Sequence, residues 1–153
     1  VTKAARRLLL AVSLAALAAT TAGAALPERW AGEWRLVRDL GAAGISALSD
    51  EEAARLLGTT IRLRDDVAQV GDERCAAPSY EAGEETTADF LADLRLTRAE
   101  LDVPGERIAT LEISCAGRFF EKLYQAENGC LVAIRDGRLF AGSRAGHAGA
   151  RRC

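Results

Sequence analysis

Residues 107–144, RIATLEISCAGRFFEKLYQAENGCLVAIRDGRLFAGSR, read as four consecutive strands: Arg107–Cys115, Arg118–Gln125, Cys130–Arg135 and Arg138–Arg144. In the first of them Leu111, Ile113 and Cys115 alternate with Thr110, Glu112 and Ser114, the period-two pattern of a strand with one buried face. Asp136-Gly137 stands between two apolar runs at the spacing of a two-residue hairpin, whose loop residues need positive φ. Asn128-Gly129 and Ala116-Gly117 make similar turns. These connections are too short for a crossover helix, so the four strands are expected to pair as antiparallel neighbours.

Working outward, Leu26 to Val37 reads as a first strand with Trp34 and Leu36 on one face, broken by Gly41-Ala42-Ala43-Gly44. Ser49-Asp50-Glu51-Glu52 is a capping box that opens a helix of about two turns, with Ala53, Leu56 and Leu57 on its buried side and Gly58 as its stop. Thr59–Arg64 and Val67–Val70 predict a hairpin around Asp65-Asp66. Cys75 to Tyr80 predicts one extended segment, which Pro78 confines to an edge. Thr86 or Thr87 caps a second helix carrying Phe90, Leu91 and Leu94, and Thr97 to Glu100 repeats the capping-box pattern. The predicted class is α+β: a curved antiparallel sheet or small β-barrel of about seven or eight strands, with two or three short inserted helices.

The ends of the chain bound the rest. Lys3, Arg6 and Arg7, an apolar run from Leu8 to Ala19, and Ala22-Gly23-Ala24 have the layout of a secretory signal peptide over residues 1–25. The apolar run falls short of the ~20 residues a membrane anchor needs, so no stable membrane insertion is expected after cleavage. A single domain then spans residues 26–145, with a disordered tail at 146–153. Three of the 20 basic residues precede the cut and all 22 acidic ones follow it, so the remainder carries 17 against 22, a formal −5. Such a chain, with scattered arginines and no lysine run, is a poor fit to nucleic acid, whose phosphates demand concentrated basic charge.

Export to the periplasm or the cell exterior gives the four cysteines, Cys75, Cys115, Cys130 and Cys153, an oxidising compartment. Four cysteines allow three pairings. Cys75–Cys115 is favoured because both lie inside the ordered part, at a strand approach and a strand end; Cys153, in a Gly-Ala-Arg tail, either pairs with Cys130 or stays free. No two cysteines are spaced as C-x-x-C and the single histidine, His147, is in that tail, so neither a metal site nor a cofactor is expected.

A catalytic set is not legible. A nucleophile needs a base within reach, and His147 is the only imidazole. The carboxylate pairs Asp65-Asp66, Asp72-Glu73 and Glu84-Glu85 read as solvated turns; an acid–base hydrolase built on them ranks third among the functional readings. The glycine patterns that cradle phosphate are absent.

Gly32-Glu33-Trp34, with Arg144 at the end of the last strand, resembles the G-x-W and terminal-arginine pattern of lipocalins and other calycin barrels. That resemblance implies a Trp at the barrel floor covered by an Arg from the last strand, which fastens the barrel closed. The order G-x-W, A-L-S-D-E-E-A, a following Gly, C-x-x-P-x-Y and a late C-x-G, from about Trp30 to Arg144, is also similar to small exported bacterial proteins without an assigned activity. It implies a fold and an envelope location, and no reaction. The expectation is a non-enzymatic periplasmic or secreted protein that binds a small apolar ligand or an envelope protein, through the barrel mouth or the surface around Tyr80. The alternative is a protein inhibitor of a cell-wall hydrolase, in which acidic charge complements a basic enzyme.

Overall fold

The structure, a computed structural model, describes residues 25–146 and Cys153. The signal peptide read over residues 1–25 falls almost wholly outside the described residues, as does His147. Nine strands and two helices follow in chain order: β1 (Gly32–Ala42), α1 (Asp50–Leu56), β2 (Thr60–Leu63), β3 (Val67–Val70), β4 (Glu73–Ala76), β5 (Ser79–Thr86), α2 (Thr87–Asp93), β6 (Arg107–Cys115), β7 (Arg118–Ala126), β8 (Leu131–Arg135) and β9 (Arg138–Arg144). They make one antiparallel sheet in the order β4-β3-β2-β1-β9-β8-β7-β6-β5, curled into a half-barrel. The first strand is thus zipped between the second and the last.

The curved antiparallel sheet is as expected; with nine strands, where about seven or eight were expected, and two short helices the fold is mostly β, which corrects the α+β class. The physical reasons are local. Only half of the Thr97 box forms: the Glu100 carboxylate accepts from the Thr97 N–H at 2.8 Å, but the Glu100 N–H donates to the Thr97 carbonyl and not to its hydroxyl, and Val103-Pro104-Gly105 follows too soon for more than a turn. The segment expected from Cys75 to Tyr80 is divided between two strands, because Ala77 takes φ +51° ahead of Pro78 and interrupts the extended backbone. β1 continues through Gly41 by bending, with irregularities in its register against β9 between Leu36 and Arg38 and between Asp39 and Gly41.

The inner face of the curl holds one core, in which Trp34, Leu36, Ile61, Leu111, Leu123 and Phe140 are all buried. A second cluster lies on the other face of the meander. There Phe90 and Leu91 of α2, with Leu101 and Val103, cover Ile108, Val132 and Leu139. Strands β8 and β9 are therefore buried on both faces, and this is why 131–134 and 139–141 read as unbroken apolar runs.

Helix α1 has its capping box: the Ser49 hydroxyl accepts from the Glu52 N–H and the Glu52 carboxylate accepts from the Ser49 N–H. Ala53 is buried, whereas Leu57, expected on the buried side, is exposed, because the chain leaves the helix there in extended conformation. Arg138 anchors this helix to the sheet. Its guanidinium donates to Asp39 through both Nε and Nη2 and to Asp50, the first helical residue, through Nη1 at 2.8 Å.

The sheet has two free edges, β4 and β5, which are consecutive in sequence and unpaired with each other. They are drawn together by the Cys75–Cys115 disulfide and by the Tyr80 hydroxyl, which donates to Arg64 O at 2.6 Å. A second disulfide joins Cys130, at the start of β8, to Cys153. Of the tail expected to be disordered over 146–153, Gly146 and Cys153 are described and Cys153 is bonded. Two disulfides fit an oxidising environment such as the periplasm or the cell exterior. Among the described residues no helix is long and apolar enough to cross a membrane.

Candidate functional site at the open end of the half-barrel

The two ends of the curl differ. At one end the residues of the G-x-W pattern come together: Trp34 pairs with Arg144 across β1 and β9, and the guanidinium carbon sits 4.7 Å from the centre of the indole ring. Arg144 also donates to Ala31 O at 2.8 Å and to Arg29 O at 2.6 Å, the two carbonyls that bracket Trp30. The Trp34 indole N–H donates to Trp30 O at 2.9 Å. Both indoles are buried, so a turn over residues 27–31 plugs this end. Gly32 has φ +118°, and a β-carbon there would lie 3.6 Å from Arg144 Nη1. That distance is ordinary contact, so it is the positive φ and not a lack of space that calls for glycine here.

The other end is open. Its rim is the β8–β9 hairpin, where Asp136 and Gly137 have φ +50° and +79°. The strap before α1 lies on that hairpin through backbone bonds, Ala43 N–H to Gly137 O and Ala47 N–H to Asp136 O. It lies so close that a β-carbon on Gly137 would come within 2.5 Å of Ile45 O. This docking sets Leu48 and helix α1 over the mouth. Between them and the sheet lies a cleft of about 330 Å³, walled by Leu36, Leu48, Leu56 and Val70 and bordered by Asp72, Glu73, Arg135 and Asp136. A neighbouring hollow of about 250 Å³ shares Arg135 and Asp136 and reaches Glu121 and the exposed ring of Phe119.

Glu121 is the chemically distinctive group here. On β7 it faces inward beside Leu123 and is only 5% exposed. One carboxylate oxygen accepts from the Lys122 N–H at 3.1 Å. The other lies 2.7 Å from a guanidinium nitrogen of Arg135, at an angle outside hydrogen-bond geometry, and accepts no hydrogen bond. Burial pushes the Glu121 carboxyl above the usual glutamate range; Arg135 and the Lys122 N–H pull the other way, and Glu73 adds repulsion. Sequence reasoning missed this pair. The signal was present, since Glu121 shares the parity of the core residue Leu123, and a charge at an inward position marks a site to inspect.

Tyr80, the sequence-level candidate for ligand contact, has its ring in the core and its hydroxyl committed to Arg64 O; burial is the main cause that pushes its pKa up to about 12. It lines a cleft of about 590 Å³ with Leu26, Asp65, Asp66 and Pro78. The carboxylate pairs are dispersed: Asp65 and Asp66 lie in the β2–β3 turn, Asp72 and Glu73 at the mouth, and Glu84 and Glu85 on β5, where Glu84 pairs with Arg107. Among the described residues no three His, Cys, Asp or Glu side chains are grouped to hold a metal ion. The chain matches no protein-family model, no curated protein and no solved structure at a significant level.

Proposed function

We propose that this is a non-enzymatic binding protein of the periplasm or cell exterior, a calycin-like half-barrel that takes a small apolar ligand at its mouth. The observation that carries the reading is the apolar cleft walled by Leu36, Leu48, Leu56 and Val70, with the Glu121–Arg135 pair beside it. The interior of the curl is filled by Trp34, Phe140 and their neighbours, so the ligand stays at the open end. Apolar walls supply affinity by removing surface from water, and the polar rim orients a ligand's head group. The test is titration of the exported protein with the neutral fluorophore N-phenyl-1-naphthylamine. Saturable one-to-one binding that is lost in Leu56→Arg supports the reading; no saturable binding, or binding untouched by Leu56→Arg, rejects it.

A second reading, a protein inhibitor that blocks a basic cell-wall hydrolase, is favoured by the filled core together with the exposed acidic strand β5. Inhibition of such an enzyme, lost when Glu81 and Glu85 are changed to Lys, supports it.

A further inference from the structure

Strand β5 ends the sheet and pairs on one side only, with β6. The Thr87 N–H donates to Glu106 O at 2.9 Å, which makes that pair a hydrogen-bonded one. Such pairs alternate along an antiparallel ladder. Counting back, Glu85, Gly83 and Glu81 turn their N–H and C=O groups toward β6, whereas Glu84 and Ala82 turn theirs outward. Among the described residues no backbone group bonds to those outward ones. Residues Glu81, Ala82, Gly83 and Glu84 are all exposed. The other edge differs: β4 is four residues long and is fastened by the Cys75 disulfide.

The charge along this edge is of one sign. Glu81, Glu84 and Glu85 share the strand with no basic residue, and only Glu84 has an ion-pair partner among the described residues, Arg107. Glu81 lies directly opposite Glu112 in the ladder, a like-charge pairing that destabilises a sheet. Lys122, on the far side of Glu112, is drawn over the Tyr124 ring, 5.1 Å from its centre. Negative charges deter self-association at an open edge. They also define the partner that is not deterred.

We propose that the outer edge of β5 accepts an extended basic segment of a partner protein as an added strand. The backbone of Ala82 and Glu84 supplies the ladder, and Glu81 and Glu85 receive lysine or arginine side chains. This edge is distinct from the mouth of the half-barrel, so the inference and the ligand-binding reading fail independently; it gives the inhibitor reading a contact surface without depending on the partner being a hydrolase.

The experiment uses the full exported chain, both disulfides intact, and a short peptide of alternating lysine and valine, with its glutamate–valine counterpart as control. Residue-resolved amide exchange is followed with and without peptide. The expected result is slowed exchange at Ala82 and Glu84 on adding the basic peptide, with Glu81, Gly83 and Glu85 already slow in the free protein. Ala82→Pro deletes an outward N–H and leaves the β5–β6 ladder whole, so affinity should fall about tenfold or more. The double change Glu81→Lys, Glu85→Lys, which tests the same edge without touching the backbone, should weaken binding as well. The proposal is overturned if Ala82→Pro binds as tightly as the parent, if the slowed amides lie elsewhere, if the acidic peptide binds equally, or if Ala82 and Glu84 are already protected in the free protein.

Discussion

Replacing Arg144 with Met keeps most of the apolar stem and removes the guanidinium that closes the plugged end. Two charge-assisted hydrogen bonds disappear, to Ala31 O and Arg29 O, together with the contact over Trp34. A hydrogen bond to a charged group contributes about 1.5–3 kcal/mol, and the one to Arg29 is discounted because it is exposed. The ring contact adds about 0.5–2 kcal/mol. The expected cost is about 3 kcal/mol, most of it from leaving the Ala31 carbonyl unpaired beside a buried indole. Urea denaturation under oxidising conditions should show a midpoint lowered by roughly 1.5–2 M for a domain of this size. Trp30 and Trp34 are the two tryptophans of the sequence, so intrinsic fluorescence reads the perturbed end directly. Arg144→Lys should recover less than half of the loss, because an ammonium cannot span both carbonyls while lying flat on the ring. A Met variant within about 0.5 kcal/mol of the parent, the range of an ordinary surface substitution, would refute the idea that Arg144 fastens the fold.

Three further outcomes are expected. Gly32→Ala forces a side chain onto φ +118°; a cost of about 1–3 kcal/mol should appear as a lowered thermal midpoint. Replacing Cys75 and Cys115 by Ser opens a loop of sequence separation 40, for which the chain-entropy model gives a loss of about 4 kcal/mol, measured against the parent in the same urea series. The pH profile should carry two opposed contributions. Hydrogen bonds from Arg138 hold the Asp39 carboxyl below its ordinary value, so its contribution is present above the usual aspartate range and is lost as pH falls through its lower folded value. Burial holds Glu121 above its ordinary value, so the folded protein keeps that proton longer and stability declines as pH rises from the usual glutamate range through the folded value. Asp39→Asn should flatten the acid side of the profile and Glu121→Gln should remove the decline; a Glu121→Gln profile parallel to the parent's would contradict the burial argument.

The C-terminal meander was legible because its turns and its alternation agree: Asp136-Gly137 and Asn128-Gly129 fall where the apolar period breaks, and β6 and β9 have the boundaries read from them. Strand β5 was not legible beyond Tyr80. Its sequence, Glu81-Ala82-Gly83-Glu84-Glu85-Thr86, has low strand propensity and no buried face to impose a period, so only the pairing with β6 makes it a strand. The closing cluster of Gly32, Trp34 and Arg144 could be named from the sequence, but the role of Trp30 could not, since it depends on a turn folding back under the sheet. The inward parity of Glu121 could be read from its spacing to Leu123, but its pairing with Arg135 on β8 could not, because that depends on how β7 and β8 align.

The pairing of β1 with β9 also has a consequence for synthesis. A polypeptide that emerges with its amino end leading presents Trp34 long before Arg144 exists to meet it, so the early strands can form only the β1-to-β4 half of the sheet and leave its inner side wet. The central seam of the sheet is the last to be made. Such a chain should gain its tertiary structure late and in one concerted step, at the slow pace of a topology rich in distant contacts, and a truncation that removes β9 should abolish folding of the whole and not merely of its carboxyl end.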